Sequence, residues 1–169
     1  RKGMNMTEII GNYEDIVEDT QKDRYLTFLI GSESYGIEVR YVTEITGMQA
    51  ITDIPELPDY IRGIINLRGQ IIPVMDVRLR FKKEFREYTD RTCIIIVDIS
   101  NMPIGLIVDA VSEVITIPEE DVVDPPQTNT NIYNRYIRKI GKVGNEVKLL
   151  LDCGKLLGSD DLDSLNSAL

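Results

Sequence analysis

Three observations predict an all-β barrel or sandwich. The β-branched residues Val, Ile and Thr fill 48 of 169 positions, and branching at Cβ suits a pleated, half-buried sheet better than a helical turn. About ten short runs of such residues and aromatics are cut apart by clusters of Gly, Pro, Asn and Ser, the spacing of strands joined by tight turns. No segment repeats at a fixed period, which removes propellers and solenoids and leaves a closed or sandwiched sheet.

The elements follow in order. Residues 1–22 are polar and acidic, with the apolar pairs Ile9-Ile10 and Ile16-Val17 seven apart; they read as an acidic tail before the body, with one helical face. Arg24 to Ile30 and residues 34–39 flank the turn Gly31-Ser32-Glu33 as a hairpin. Residues 40–45 read mainly as strand, because Val42, Thr43 and Ile45 are β-branched. Pro55 and Pro58 mark a loop, after which Asp59 is expected to cap a brief turn. Residues 63–67 and 71–75 flank Arg68-Gly69-Gln70 as a second hairpin, where Pro73, without a ladder donor, is expected at an edge or bulge. Asp76 is expected to cap a short helix at 77–81 with its charges outward, and 82–91 reads as a charged loop. The nearly unbroken apolar run 92–99 implies a strand buried on both faces. Strands at 103–108 and 111–117 follow, then a loop at 124–131. A hairpin at 136–143 and 146–152 turns at Gly144-Asn145. A terminal helix begins at 154–157 and continues with Leu162, Leu165 and Leu169 on one face.

Composition excludes several function classes. The 43% apolar and 28% charged residues are an ordinary globular mix. No apolar run approaches the roughly 20 residues of a membrane-spanning helix, so no direct membrane insertion is expected. The start, Arg1-Lys2-Gly3, does not read as a secretory leader. Cys93 and Cys153 lack the Cys-x-x-Cys spacing of a zinc site, and the expected setting is a reducing cytoplasm with no metal or cofactor. The chain has no histidine, so no Ser-His-Asp or Cys-His machinery can be built. A net charge of −9 disfavours nucleic acid as a partner. Residues 61–92 run against this, with eight cations and four anions, an imbalance able to steer an acidic partner or simply to solvate a surface.

The most informative segment runs from Tyr60 to Phe81. Gly69 can take positive φ at a hairpin tip, Asn66 can bond to turn backbone, and Arg68 would then project on a stiff support. A planar guanidinium held there can grip carboxylates in two places. A plain surface arginine and a partner anchor both fit.

This segment closely resembles the signature of the CheW family of chemotaxis coupling proteins. The resemblance is carried by Tyr60-Ile61-Arg62-Gly63-Ile64-Ile65-Asn66-Leu67-Arg68-Gly69, then Pro73, Asp76, Arg78 and Phe81. Ser34-Tyr35-Gly36-Ile37, Val42-Thr43-Glu44-Ile45, Gly105-Leu106-Ile107-Val108-Asp109 and Leu149-Leu150-Leu151-Asp152 agree in order and spacing. It covers roughly residues 24–158. It implies two interlocked five-stranded SH3-like barrels with short helices, and a CheW-like domain of two lobes at 23–158 followed by a C-terminal helix or tail at 159–169. It further implies a non-enzymatic, cytoplasmic adaptor recruited to membrane-bound receptor arrays, with the chemoreceptor cytoplasmic tip and a chemotaxis histidine kinase as partners. Carried over position by position, the partner-binding residues would be Val42, Glu44, Gly63, Arg68, Cys93, Ile94 and Gly105. Val42 and Ile94 would floor a receptor groove, with Glu44 and Arg68 on its rim. Core packing is the competing reading for Val42, Ile94 and Gly105. Glu44 fits that reading poorly, since an ionised carboxylate is rarely buried unpaired.

Other constellations fail. Gly63 to Gly69 lacks the Gly-Lys-Ser/Thr ending of a phosphate loop. Asp160, Asp161 and Asp163 lack the Gly and terminal Glu of a calcium loop and read as helix N-terminal charges. Two alternatives stay open: a CheW-like regulatory domain cut from a larger kinase or receiver-fused protein, and a small carboxylate enzyme. The enzyme would need paired acids in a cleft, and no pair in the sequence identifies one.

Overall fold

The computed structural model describes residues 21–126 and 135–169. The acidic tail therefore lies outside the described residues, except for its last two positions, and so does the loop at 124–131 beyond residue 126. Besides single 3-10 turns at Val39–Tyr41 and Glu119–Asp121, the described residues form eleven strands and three short α-helices. In chain order these are β1 (Arg24–Ile30), β2 (Glu33–Glu38), β3 (Val42–Gly47), β4 (Ile61–Leu67), β5 (Gln70–Asp76), α1 (Val77–Arg80), β6 (Cys93–Ile99), β7 (Met102–Val108), β8 (Ala110–Thr116), β9 (Val122–Val123), β10 (Ile137–Val143), β11 (Glu146–Leu151), α2 (Cys153–Leu156) and α3 (Ser159–Ala168).

The protein is mostly β, in two sheets whose strands are interleaved along the chain. One sheet runs β8-β1-β2-β11-β10-β9 and the other β3-β6-β7-β5-β4. The chain thus starts in the first sheet, builds all of the second, and returns to finish the first. The expected five strands per lobe become six in the first sheet because the two-residue β9 adds to β10.

Turn chemistry sets the registers. Arg68 and Gly69 both have positive φ (52° and 87°), so β4 and β5 join through a two-residue turn whose twist matches that of the strands. Asn66 Oδ1 accepts from the Gly69 N–H at 2.8 Å and holds that turn. Ser100 and Asn101, at φ 51° and 62°, make the same kind of turn between β6 and β7 without glycine.

Pro73 lies on an interior strand, not at an edge. It pairs with Ile64, whose own N–H and C=O point outward to Thr52 at 2.9 and 2.8 Å. Pro73 therefore occupies a position that donates nothing to β4, and β7 pairs with β5 only from Val74 onward. Asp59 caps no helical turn; the chain turns at 59–60 and enters β4 at Ile61, two residues earlier than expected. The terminal helix is two helices. Leu157 is extended at φ −110°, ψ 126°, so α2 stops there and α3 starts afresh, with Leu165 buried in the main core and Leu169 exposed.

Two cores result. The larger lies between the sheets and takes Leu26, Phe28 and Ile37 from one and Ile95, Val97 and Leu106 from the other. A ladder of rings crosses it, Phe28 to Tyr35 to Phe81 to Tyr136, with centroids 5.7, 5.3 and 5.4 Å apart. The smaller core is Ile65, Leu67, Ile72, Val74, Ile94, Ile96 and Ile107, all from the five-stranded sheet. A sheet that packs its own inner face in this way is curled into a barrel.

Gly63 sits at the β4 bulge with φ 142°. A Cβ there would strike the Thr52 carbonyl and approach Ile51 Cγ2 to 2.9 Å. Gly63→Ala combines a forbidden φ with a backbone clash, so it is expected to cost more than about 2 kcal/mol. Urea unfolding of the variant measures this, and a loss below about 0.5 kcal/mol would mean that the Thr52 strap yields freely.

Candidate functional site

All seven candidate residues fall on the five-stranded sheet or its turn. β3 and β4 are the edges of that sheet. Glu44 lies on β3 and Arg68 at the tip of the β4–β5 hairpin, and the Arg68 guanidinium donates from Nη2 to Glu44 Oε1. The ion pair therefore crosses the seam where the curled sheet closes. Thr52, on the connection between β3 and β4, makes a backbone bridge to Ile64 along the free edge of β4.

Glu44 and Arg68 are the two candidates with polar groups open to solvent. Side-chain exposure is 70% for Arg68 and 33% for Glu44. Arg68 holds a left-handed conformation that costs an ordinary side chain about 1 kcal/mol and glycine almost nothing. The turn itself gains nothing from an arginine over a glycine, so the guanidinium is what distinguishes this position.

The other candidates have different places. Ile94 is 0% exposed inside the barrel. Gly105 faces the same core, where a Cβ would come within 2.8 Å of both Ile94 Cγ2 and Val74 Cγ1. Val42 pairs with Val97 and packs on the core between the sheets. Ile94 is three residues from Val97, and alternation sends it to the opposite face. Val42 and Ile94 therefore do not floor one groove, which corrects that expectation. Cys93 is half-buried, its thiol 3.3 Å from the Arg91 carbonyl.

Sequence reasoning missed the cluster at α1. Arg78 does not point outward; it is 8% exposed and pairs with Asp109 at the end of β7. Asp109 also accepts from the Gly31 N–H at 2.7 Å, so one carboxylate ties α1 to the first hairpin. Asp76 does cap α1, accepting from the Leu79 N–H at 3.2 Å, and its other oxygen accepts from the Tyr88 hydroxyl at 2.8 Å. Burial, reinforced by the Asp76 charge, raises the Tyr88 pKa. These groups and Arg86 line a small cavity of about 200 Å³. Arg80 is also turned inward, stacked over Tyr60 and Tyr136 at 4.3 and 5.1 Å and bonded to the Leu156 carbonyl at 2.7 Å. Arginines spaced i and i+2 on so short a helix gave no periodic signal of burial. Among the described residues no group of His, Cys, Asp and Glu could hold a metal ion.

Comparison with known proteins agrees with this architecture. The model of the CheW-like domain family matches residues 24–161. The chemotaxis protein CheW of Klebsiella aerogenes is 33% identical over 144 residues, covering 85% of this chain and 87% of that one. Its counterpart from Treponema pallidum is 36% identical over 146 residues, covering 83% and 85%. The crystal structure of the scaffolding protein TtCheW from Thermoanaerobacter tengcongensis superposes with a TM-score of 0.76 at 36% identity, covering 82% of this chain and 94% of that one.

Two outcomes follow from the burial of these groups. Arg68→Glu removes an exposed pair and should change stability by no more than about 1 kcal/mol. Arg78→Met takes a buried guanidinium from Asp109, which is 25% exposed and keeps the Gly31 N–H and Arg86 as partners, and should cost about 2 kcal/mol; chemical unfolding of both variants distinguishes them, and equal losses would contradict the contrast. Burial, with the Asp152 charge second, pushes the Cys153 thiol up to about 12. Iodoacetamide at about pH 8 should therefore leave Cys153 unmodified until the protein is unfolded, as mass mapping of the labelled peptides will report.

Proposed function

The chain belongs to the CheW-like domain family, and from that premise we propose that it is a non-enzymatic adaptor holding a chemoreceptor's cytoplasmic tip and a chemotaxis histidine kinase in one signalling complex. The observation that carries this reading is the Glu44–Arg68 clasp. It sets a fixed, exposed guanidinium beside a carboxylate on the closing seam of a rigid barrel. Both groups can exchange their in-chain partner for one on another protein at little cost, because an exposed pair contributes little to stability. Val42 and Cys93, both half-buried, belong to the same sheet and extend the contact. Gly63, Ile94 and Gly105 shape it from below. Among the described residues no helix is long and apolar enough to cross a membrane; the protein reaches membrane-bound receptor arrays through the receptor.

The test is binding of Arg68→Glu to a receptor cytoplasmic fragment and, separately, to the kinase's regulatory domain. Loss of an anchor costs about 2 kcal/mol, or roughly thirtyfold in affinity, and it should appear against at least one partner while unfolding stays near wild type. Unchanged affinity for both would remove the clasp from the interface. Failure of the wild-type chain to bind either would overturn the adaptor reading itself.

A further inference from the structure

The six-stranded sheet carries a second feature that the adaptor reading does not use. A cleft of about 750 Å³ opens where β1, β2, β10 and β11 begin or end, lined by Lys22, Arg24, Arg40, Arg138 and Lys139, with Asp23, Glu38 and Glu119 among them. Five cations face three anions in the lining, and Lys139 also pairs with Asp124 beside it, so the cleft keeps a small positive excess on a chain of net charge −9. Arg40 and Arg138 both pair with Glu38, at 2.6 and 2.8 Å, yet their side chains remain 56% and 52% exposed. One carboxylate cannot occupy the ten N–H donors of two guanidiniums. Tyr25 and Val122, both half-buried, supply an apolar strip beside them.

We propose that this cleft is the docking site of the chain's own acidic N-terminal segment, residues 8–19. That segment holds Glu8, Glu14, Asp15, Glu18 and Asp19 and no cation, so its charge complements the cleft. Ile9, Ile10, Tyr13, Ile16 and Val17 recur at three- and four-residue spacing, the pattern of one apolar face that Tyr25 and Val122 can receive. The segment ends two residues before Gln21, itself on the cleft lip. Such a tether raises the local concentration of acid to the millimolar range, and twelve residues span about 18 Å even if helical. A docked segment shields the cleft from acidic segments of other proteins.

The test is hydrogen–deuterium exchange of the full chain at about 50 and 500 mM salt, since contacts between exposed charges weaken as the Debye length shortens. Amides within 8–19 should exchange at least about tenfold slower than a free peptide of the same sequence at low salt, and lose that protection at high salt. The cleft variant Arg24→Glu/Arg138→Glu/Lys139→Glu should lose it at both. The tail variant Glu14→Gln/Asp15→Asn/Glu18→Gln/Asp19→Asn leaves the described body untouched and should do the same, so the result stands even if the cleft variant folds poorly. Free-peptide rates in the wild type would overturn the proposal. Protection that survives both variants would also overturn it, as would protection that grows with protein concentration, which would assign the cleft to the tail of a second copy.

Discussion

Ile94, Ile95, Ile96 and Val97 point alternately into two different cores, and the rest of the structure depends on that one strand being wanted on both faces. Ile94 and Ile96 fill the barrel, while Ile95 and Val97 face the other sheet. β7 repeats the arrangement, with Ile104 and Leu106 on one side and Gly105 and Ile107 on the other. A one-residue slip would exchange every partner, and Gly105 would bring a large neighbour to a place where Ile94 and Val74 already meet. The two lobes are therefore not beads on a string. The two faces of β6 and β7 line both cores, so a shape change in the barrel is felt in the core between the sheets.

Closing the barrel is left to much weaker forces. The edges β3 and β4 are joined by the Glu44–Arg68 pair, and the free edge of β4 is covered by the bridge from Thr52, on the connection between them, to Ile64. An unprotected edge invites pairing with another chain, so the seam has to be covered. Covering it with one exposed ion pair leaves a place where a partner can bind without dismantling a core. The left-handed backbone at Arg68 points the same way, because a fold selected for stability alone would favour glycine or asparagine at φ 52°.

The strands, the hairpin tip at Arg68-Gly69 and the two-sided burial of β6 were legible because each is written locally, in β-branched runs, turn residues and an unbroken apolar stretch. The residues that had to be corrected depend on tertiary context. Alternation says that Val42 and Ile94 each have a face, but not which core that face meets, and the bulge between Val42 and Glu44 shifts the phase within β3. The inward turn of Arg78 needs Asp109, thirty-one residues away, and no spacing rule couples them. The Thr52 strap comes from a stretch whose prolines mark it only as loop. The resemblance to the CheW family supplied the sheet arrangement that composition left open between barrel and sandwich.

The basic stretch at 61–92 shows how far a charge count can stand from a surface. Arg78 is spent inside against Asp109, Arg80 lies between two tyrosine rings and a carbonyl, and Arg62 stacks 5.0 Å over Phe85. Three of the eight cations are thus committed to holding α1 and the following loop on the body, through contacts that use the guanidinium plane as much as its charge. What remains for a partner is not a uniform positive field but a few separate groups, of which Arg68 alone is carried on a two-residue turn with a fixed direction. On the proposed adaptor reading, recognition at this face would rest on the position of one side chain relative to Glu44. A lysine in place of Arg68 would keep the charge and lose the fork, and a partner reading geometry would notice the change where a partner reading only potential would not.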